Sequence, residues 1–468
     1  MKTQASRSRP FALKTLLTLF VTALVLSVIS HVNSGSAAKK ETLPDHVLER
    51  FGPPPPVPEG ELSAELAEAV ELVFAGKQDL YSWTREQHDA LNVIAKSRDP
   101  RLAWLVADVM RFAGLDGLFD LFALAARDLL QINFDDGRYW THTTDHLIAW
   151  DIPAPPDYLR LKRSIFTAVV PEWEKIFTPG DVDWRHVSWG GVRIDDRAPG
   201  TTDTPCNCIP AADNPTVTSA EDAKWLSDDA IVFGISINGE HRAYPRRIME
   251  VREMVNDTLG GRDLGIPYCT LCGAAQAYFT DSVPEGVERP ILRTSGLLVR
   301  SNKVMYDINT YSVMDTFLGT ALNGALADKQ IKLPQATVIT TDWGTWKKEH
   351  PTTTVLTEDL ALGRDFDFRN NRDADGPIFP IGDVDPRLPV QEDIVGIVTA
   401  DGTPIAFQRS AAILELTRGK SVEFENLMLE LDGSGIRITN ADGDDLGSHQ
   451  AFWFAWSQFH PETKLWPN

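Results

Sequence analysis

The sequence predicts an α+β protein, a helical N-terminal region followed by a β-rich domain built from two related units. Three observations carry that expectation. Apolar residues recur at three-to-four spacing through residues 62–75 and 87–113, in text rich in Ala, Leu, Glu and Arg, which is the period of a helix with one buried face. Beyond residue 225 the pattern changes to short apolar runs, the first ending at Asn238-Gly239, a pair that accepts the positive φ of a tight hairpin. Finally, Trp343, Trp346, His350, Pro351 and Thr353 recur at identical spacing as Trp453, Trp456, His460, Pro461 and Thr463.

Taken in order, the chain begins with Lys2, Arg7, Arg9 and Lys14, and no acidic residue precedes Glu41. Residues 15–32 are almost wholly apolar or small, and Ser36-Ala37-Ala38 follows. Such a layout predicts a secretory signal peptide over residues 1–38, with an uncleaved N-terminal anchor as the alternative. Either way the body is expected to be exported, to the periplasm or cell envelope. No second run of 18 apolar residues exists, so no membrane contact is expected beyond this segment.

A Pro-rich linker spans 39–60, a helical region 61–150 and an irregular connecting segment 151–224. A helix break is expected at Ser97-Arg98-Asp99-Pro100. The first β-rich unit covers 225–357, a connection 358–389 and the second unit 390–468. Within the first unit, a helix is predicted from Arg246 to about Asn256. Asn371, Asp373, Asp375 and Gly376 resemble half of a calcium loop, but the twelfth position is Gly382 rather than the bidentate Glu.

Composition narrows the function. The chain has 468 residues, 43% hydrophobic and 24% charged, with 66 acidic against 45 basic side chains and a formal charge of −21. That apolar content excludes a disordered chain. The charge argues against nucleic acid, whose binding needs a basic footprint. Phosphate loops, dinucleotide turns, His-Glu-x2-His helices and Gly-x-Ser-x-Gly elbows are all absent from the sequence.

Chemistry concentrates on four cysteines in two pairs, Cys206-Asn207-Cys208 and Cys269-Thr270-Leu271-Cys272. Outside the cytoplasm, disulfides are the first reading, within each pair or across them. The rivals are a redox dithiol at Cys269 and Cys272, and a metal ion held by Cys206, Cys208, Cys269 and Cys272. Tyr268, Asp257, Arg252, Asn302 and Tyr306 flank the second pair in polar text suited to lining a pocket. In the repeated element, Trp at i and i+3 share a helix face. His350 and His460 then read as partners of the helix C-terminus, with a ligand or acid–base role as the rival.

Arg242-Ala-Tyr-Pro245, Val255-Asn-Asp257, Tyr268-Cys-Thr-Leu-Cys-Gly273, the run from Ser295 to Asp307 and the two Trp/His-Pro elements resemble the DUF3179 family over about residues 190–466. The resemblance implies no reaction. Family members usually read His-Glu where this chain has Arg252-Glu253, and Ser-Leu-Trp where it has Ser312-Val313-Met314. If that His helps the cysteines hold a metal, the site here is degenerate, because a guanidinium cannot coordinate. The expectation is therefore an exported protein with structural cysteines that binds a ligand or partner. The alternative is a metal-dependent or thiol redox enzyme centred on Cys269 and Cys272.

Overall fold

The computed structural model describes residues 43–75, 83–113, 117–133, 136–201, 206–357 and 376–467. The signal segment and the calcium-like positions 371–375 lie outside the described residues.

Helices form where capping side chains meet apolar periodicity. Ser63 caps Ala64–Phe74 by accepting from the Leu66 amide, and Thr84 and Gln87 close a reciprocal capping box on Arg85–Ser97. Arg98 then turns left-handed at φ 52°, so that helix ends at the expected break. Asp99 caps the turn that follows, and Ala103–Met110 is buried on every side, as a helix at the centre of a bundle must be. Gly117–Leu130, Tyr139–Ala149 and Tyr158–Val169 pack around it. The last of these lies inside the segment expected to be irregular. Its apolar face is carried by Tyr158, Leu161, Ile165 and Phe166, all buried. Among the described residues, no helix is long and apolar enough to cross a membrane.

The remainder is not two units. Its strands form five sheets, of four, six, five, four and three strands, and these are the blades of a five-bladed β-propeller. The expectation of an α+β domain made of two related units is thereby overturned. Two blades do share one layout. In one, Ile231–Ile237 pairs antiparallel with Glu240–Pro245 across the Asn238-Gly239 turn, and Thr354–Leu356 adds parallel to the second strand. In the other, Asp393–Val398 and Pro404–Gln408 pair in the same way, and Lys464–Trp466 adds parallel. The repeated tryptophans and histidines mark these two blades only. The other three are built largely from insertions within them. Residues 246–338 supply most strands of the blades containing Arg262–Cys269 and Leu292–Val299, each completed by one earlier strand, Ala212–Asp213 and Val187–Trp189 respectively. Residues 409–448 supply the three-stranded meander.

A pair of shape locks explains the repeat. Trp346 and Trp456 are fully buried, and each packs its ring on a strand glycine of its own blade, Gly234 and Gly396. A Cβ at either glycine would stand 2.4 Å from the indole. Each indole Nε1 donates to the threonine that closes the element, Trp346 to Thr353 at 3.0 Å and Trp456 to Thr463 at 2.9 Å. Such pairing leaves the buried N–H satisfied.

The predicted helix from Arg246 ends early, at Arg252. Glu253 adopts a left-handed φ of 50°, and Met254–Leu259 continues as a strand. Residues 254–256 are buried apolar and amide side chains that pair with Arg262–Cys269, and sheet pairing here overrides the helical reading of the sequence.

Candidate functional site

Where the two inserted blades meet the segment leading from the helical region, they enclose a cavity of about 130 Å³. Its wall is mostly apolar, with Ile209, Leu271, Leu297 and Val304 among its residues. Among its polar members, Thr294 and Ser295 spend their hydroxyls on the Ile209 and Val304 carbonyls, while Glu253, Thr270 and Lys303, each only 6% exposed, bond to one another. Backbone geometry brings these last three together from three elements. Glu253 caps the helix ending at Arg252, and its carbonyl accepts from the Tyr268 amide at 3.0 Å. Thr270 lies in the hairpin turn that follows Arg262–Cys269. Lys303 lies in Asn302–Asp307, just after a tight turn in which Arg300 and Ser301 both have positive φ.

The Lys303 ammonium lies 2.5 Å from one Glu253 carboxylate oxygen and donates to the Glu253 carbonyl at 2.9 Å. The Thr270 hydroxyl donates to the other carboxylate oxygen at 3.0 Å. Both charges are thus paired and hydrogen-bonded, as burial demands. A buried ion pair adds little net stability over apolar packing.

Cys269 lines the same cavity. Its hairpin is tight: the Cys272 amide donates to the Cys269 carbonyl, Gly273 turns at φ 62°, and Ala274 pairs back to Cys269. The sulfurs of Cys269 and Cys272 are close enough to be linked, with Cα atoms 5.3 Å apart, and so are those of Cys206 and Cys208, at 5.1 Å. Among the described residues, no ligand cluster contains cysteines of both pairs. Asp195 lies beside Cys206 and Cys208. Its carboxylate already meets Arg197 at 2.6 Å and Arg293 at 3.9 Å, a field that repels a cation.

The remaining candidates from the sequence disperse. Asn302 stays with the hairpin, its Oδ1 2.7 Å from Cys272 Sγ. Tyr268 is fully buried against Phe233 in the core between two blades. Asp257 faces a neighbouring blade, where it receives Arg242 at 2.6 Å and the Tyr244 hydroxyl at 2.8 Å. Burial, and next the Asp257 charge, hold the Tyr244 phenol well above its ordinary range. Tyr306 donates to the Asp195 carbonyl at 2.7 Å. Arg252 is buried, and its guanidinium reaches the Ala211 carbonyl. Cys269 is thus the one candidate that lines the cavity. Glu253, Thr270 and Lys303 were not singled out by residue type.

His350 and His460 follow their tryptophan helices and take different surroundings. His350 Nε2 lies 2.8 Å from Asp432, which Arg437 also holds, and Glu349 completes the group. His460 is buried against Trp456. With His449, Gln335 and Lys332 it borders a second cavity of about 390 Å³. Burial pushes His460 down to about 4 and His449 to about 3.

A family model described as a protein of unknown function, DUF3179, matches residues 206–463, more than half of the chain. The match takes in Glu253, the Cys269–Cys272 hairpin and Lys303, while Gly190 and Val192 of the cavity wall precede it. No curated protein and no solved structure matches the chain.

Proposed function

The chain belongs to the DUF3179 family, and from that premise we propose that it binds a small organic molecule in the cavity beside the Cys269–Cys272 hairpin. The cysteines fasten the hairpin, and Glu253, Thr270 and Lys303 orient the ligand. The observation that carries this reading is a buried, mutually bonded cluster of polar groups on a mostly apolar wall, the usual composition of a small-molecule site. A volume near 130 Å³ suits one small ring, since an engineered cavity of about 150 Å³ holds benzene.

Phenol is the first probe, with its hydroxyl toward Thr270 and Glu253. Titration followed by NMR is expected to shift resonances of the cavity wall. Leu271→Trp, which fills the space, should abolish those shifts, and Thr270→Val should weaken binding. No shift on phenol addition, or shifts untouched by Leu271→Trp, would sink the reading.

One observation favours a second reading, thiol redox. Asn302 Oδ1 lies where a reduced Cys272 thiol would donate a hydrogen bond. Thiol titration of the native protein in a graded dithiol buffer checks it. A pair that titrates reversibly at Cys269 and Cys272 supports redox work, and a pair that resists reduction until unfolding removes that reading. Export is part of the proposal too, resting on the basic start and apolar run of residues 1–32. N-terminal sequencing of protein from the producing cell should begin near Lys39.

A further inference from the structure

We propose that Arg111 receives the anionic end of the ligand, so that the cavity selects small carboxylates over neutral molecules of the same shape. The inference rests on the cavity reading above. Arg111 follows the buried helix Ala103–Met110, and its backbone amide still bonds to the Ala107 carbonyl. From there its side chain packs behind the cavity wall, against the lining residue Phe379. Nε donates to the Trp189 carbonyl at 2.8 Å, and the guanidinium lies over three rings, Trp140 at 4.8 Å and Trp189 and Phe379 at 5.3 Å each. Phe379 lines the cavity, as does Gly190, next to Gly191. A Cβ on Gly191 would stand 3.5 Å from Arg111 Nη2.

Arg111 lacks an acidic partner in an acid-rich protein. Many of the buried arginines meet a carboxylate, Arg101 with Asp99, Arg197 with Asp195, Arg242 with Asp257 and Arg293 with Asp213, whereas Arg111, like the half-buried Arg300, meets none among the described residues. Among the described residues, no carboxylate is hydrogen-bonded or ion-paired to Arg111. Burial, with no acid to oppose it, pulls its pKa down to about 10, so it remains charged at neutral pH. If covering aromatic surface were its whole role, an apolar side chain would do so without desolvating a charge. Three rings hold the guanidinium plane fixed, and a planar fork is the geometry that reads a carboxylate. The ring of the ligand then lies in the apolar cavity and its far polar group meets Glu253, Thr270 and Lys303.

Full-length protein and three probes test this by calorimetry: phenol, 4-hydroxybenzamide and 4-hydroxybenzoate. The acid should bind at least about tenfold more tightly than the amide, the worth of one charge-assisted hydrogen bond. In Arg111→Met that ratio should fall to near one, and Arg111→Lys should restore part of it. A merely structural arginine would weaken acid and amide alike and leave the ratio unchanged. Arg111→Gln reports the same ratio where Met perturbs folding. If phenol binds but the acid shows no advantage, or the advantage survives in Arg111→Met and Arg111→Gln, this inference fails and the cavity reading stands. If none of the three probes binds, both fail.

Discussion

Glu253 occupies a left-handed backbone position without being glycine, and the cavity depends on it. That conformation stops the helix and turns one carbonyl toward both the Tyr268 amide and Lys303. The carboxylate meanwhile returns to the same ammonium. Removing one member of such a pair leaves the other charge buried and alone, which costs about 3–5 kcal/mol, whereas replacing both by neutral groups is close to neutral. Lys303→Met should therefore destabilise by about 3 kcal/mol, and Glu253→Gln with Lys303→Met should recover most of that loss. Urea midpoints of the four proteins close the cycle, and a Lys303→Met midpoint equal to wild type would contradict it. Residue-type reading found Cys269 and Asn302 because cysteines announce themselves. It passed over Glu253, Thr270 and Lys303, which come together only through tertiary pairing across 50 residues. One signal was present: Lys303 interrupts a strand buried at all six positions, Asn302–Asp307, where a charge needs a buried partner.

At the scale of elements, the tryptophan helix and its glycine strand form one packing unit used twice. Spacing made it visible in the sequence, because the lock fixes every member. The glycine admits the ring, the ring places the helix, and the threonine takes the indole N–H. Gly396→Ala would drive a Cβ to 2.4 Å from the Trp456 ring, and overpacking of this kind costs about 1–3 kcal/mol. Trp456→Phe removes the part of the indole that clashes. The double variant should then be more stable than the sum of the two single losses predicts, a coupling of about 1 kcal/mol. Additive losses in thermal or urea unfolding would show that the ring can move aside. Gly234→Ala with Trp346→Phe should behave likewise, since its geometry is the same. The cysteine hairpin belongs to this architecture. The Cys272 carbonyl accepts from the Phe452 amide of the neighbouring blade, and Gly273 lies under the Phe452 ring.

Across the whole molecule, the sequence revealed the change from helical to strand patterning, and it showed that two segments are related. It hid the number of blades. Only the two tryptophan blades repeat a motif. Two of the other three hold strands, Leu292–Val299 and Arg262–Cys269, that are buried along most of their length on both faces and so lose the alternation that marks a half-exposed strand. The third is a short meander that carries no tryptophan element. Burial on this scale also sets the response to acid. His186, His449 and His460 are held neutral by burial, at about 3, 3 and 4. Arg300 adds to the effect at His186 and Lys332 at His460. Gln335 donates its amide to His449 Nδ1 at 2.7 Å, which a neutral ring accepts and a protonated one cannot. In the unfolded chain all three return to about 6.5. Their folded values are depressed, so the unfolded state binds protons that the native state refuses. The stability this supplies is complete above about pH 6.5 and is lost as pH falls toward 4. Between pH 7 and 5 each histidine should cost about 1–2 kcal/mol, in a window where ordinary carboxylates are still charged. Urea midpoints at the two pH values measure the slope, and His449→Gln with His460→Gln should remove more than half of it. A slope unchanged in that variant would mean that the acid sensitivity lies elsewhere in the propeller.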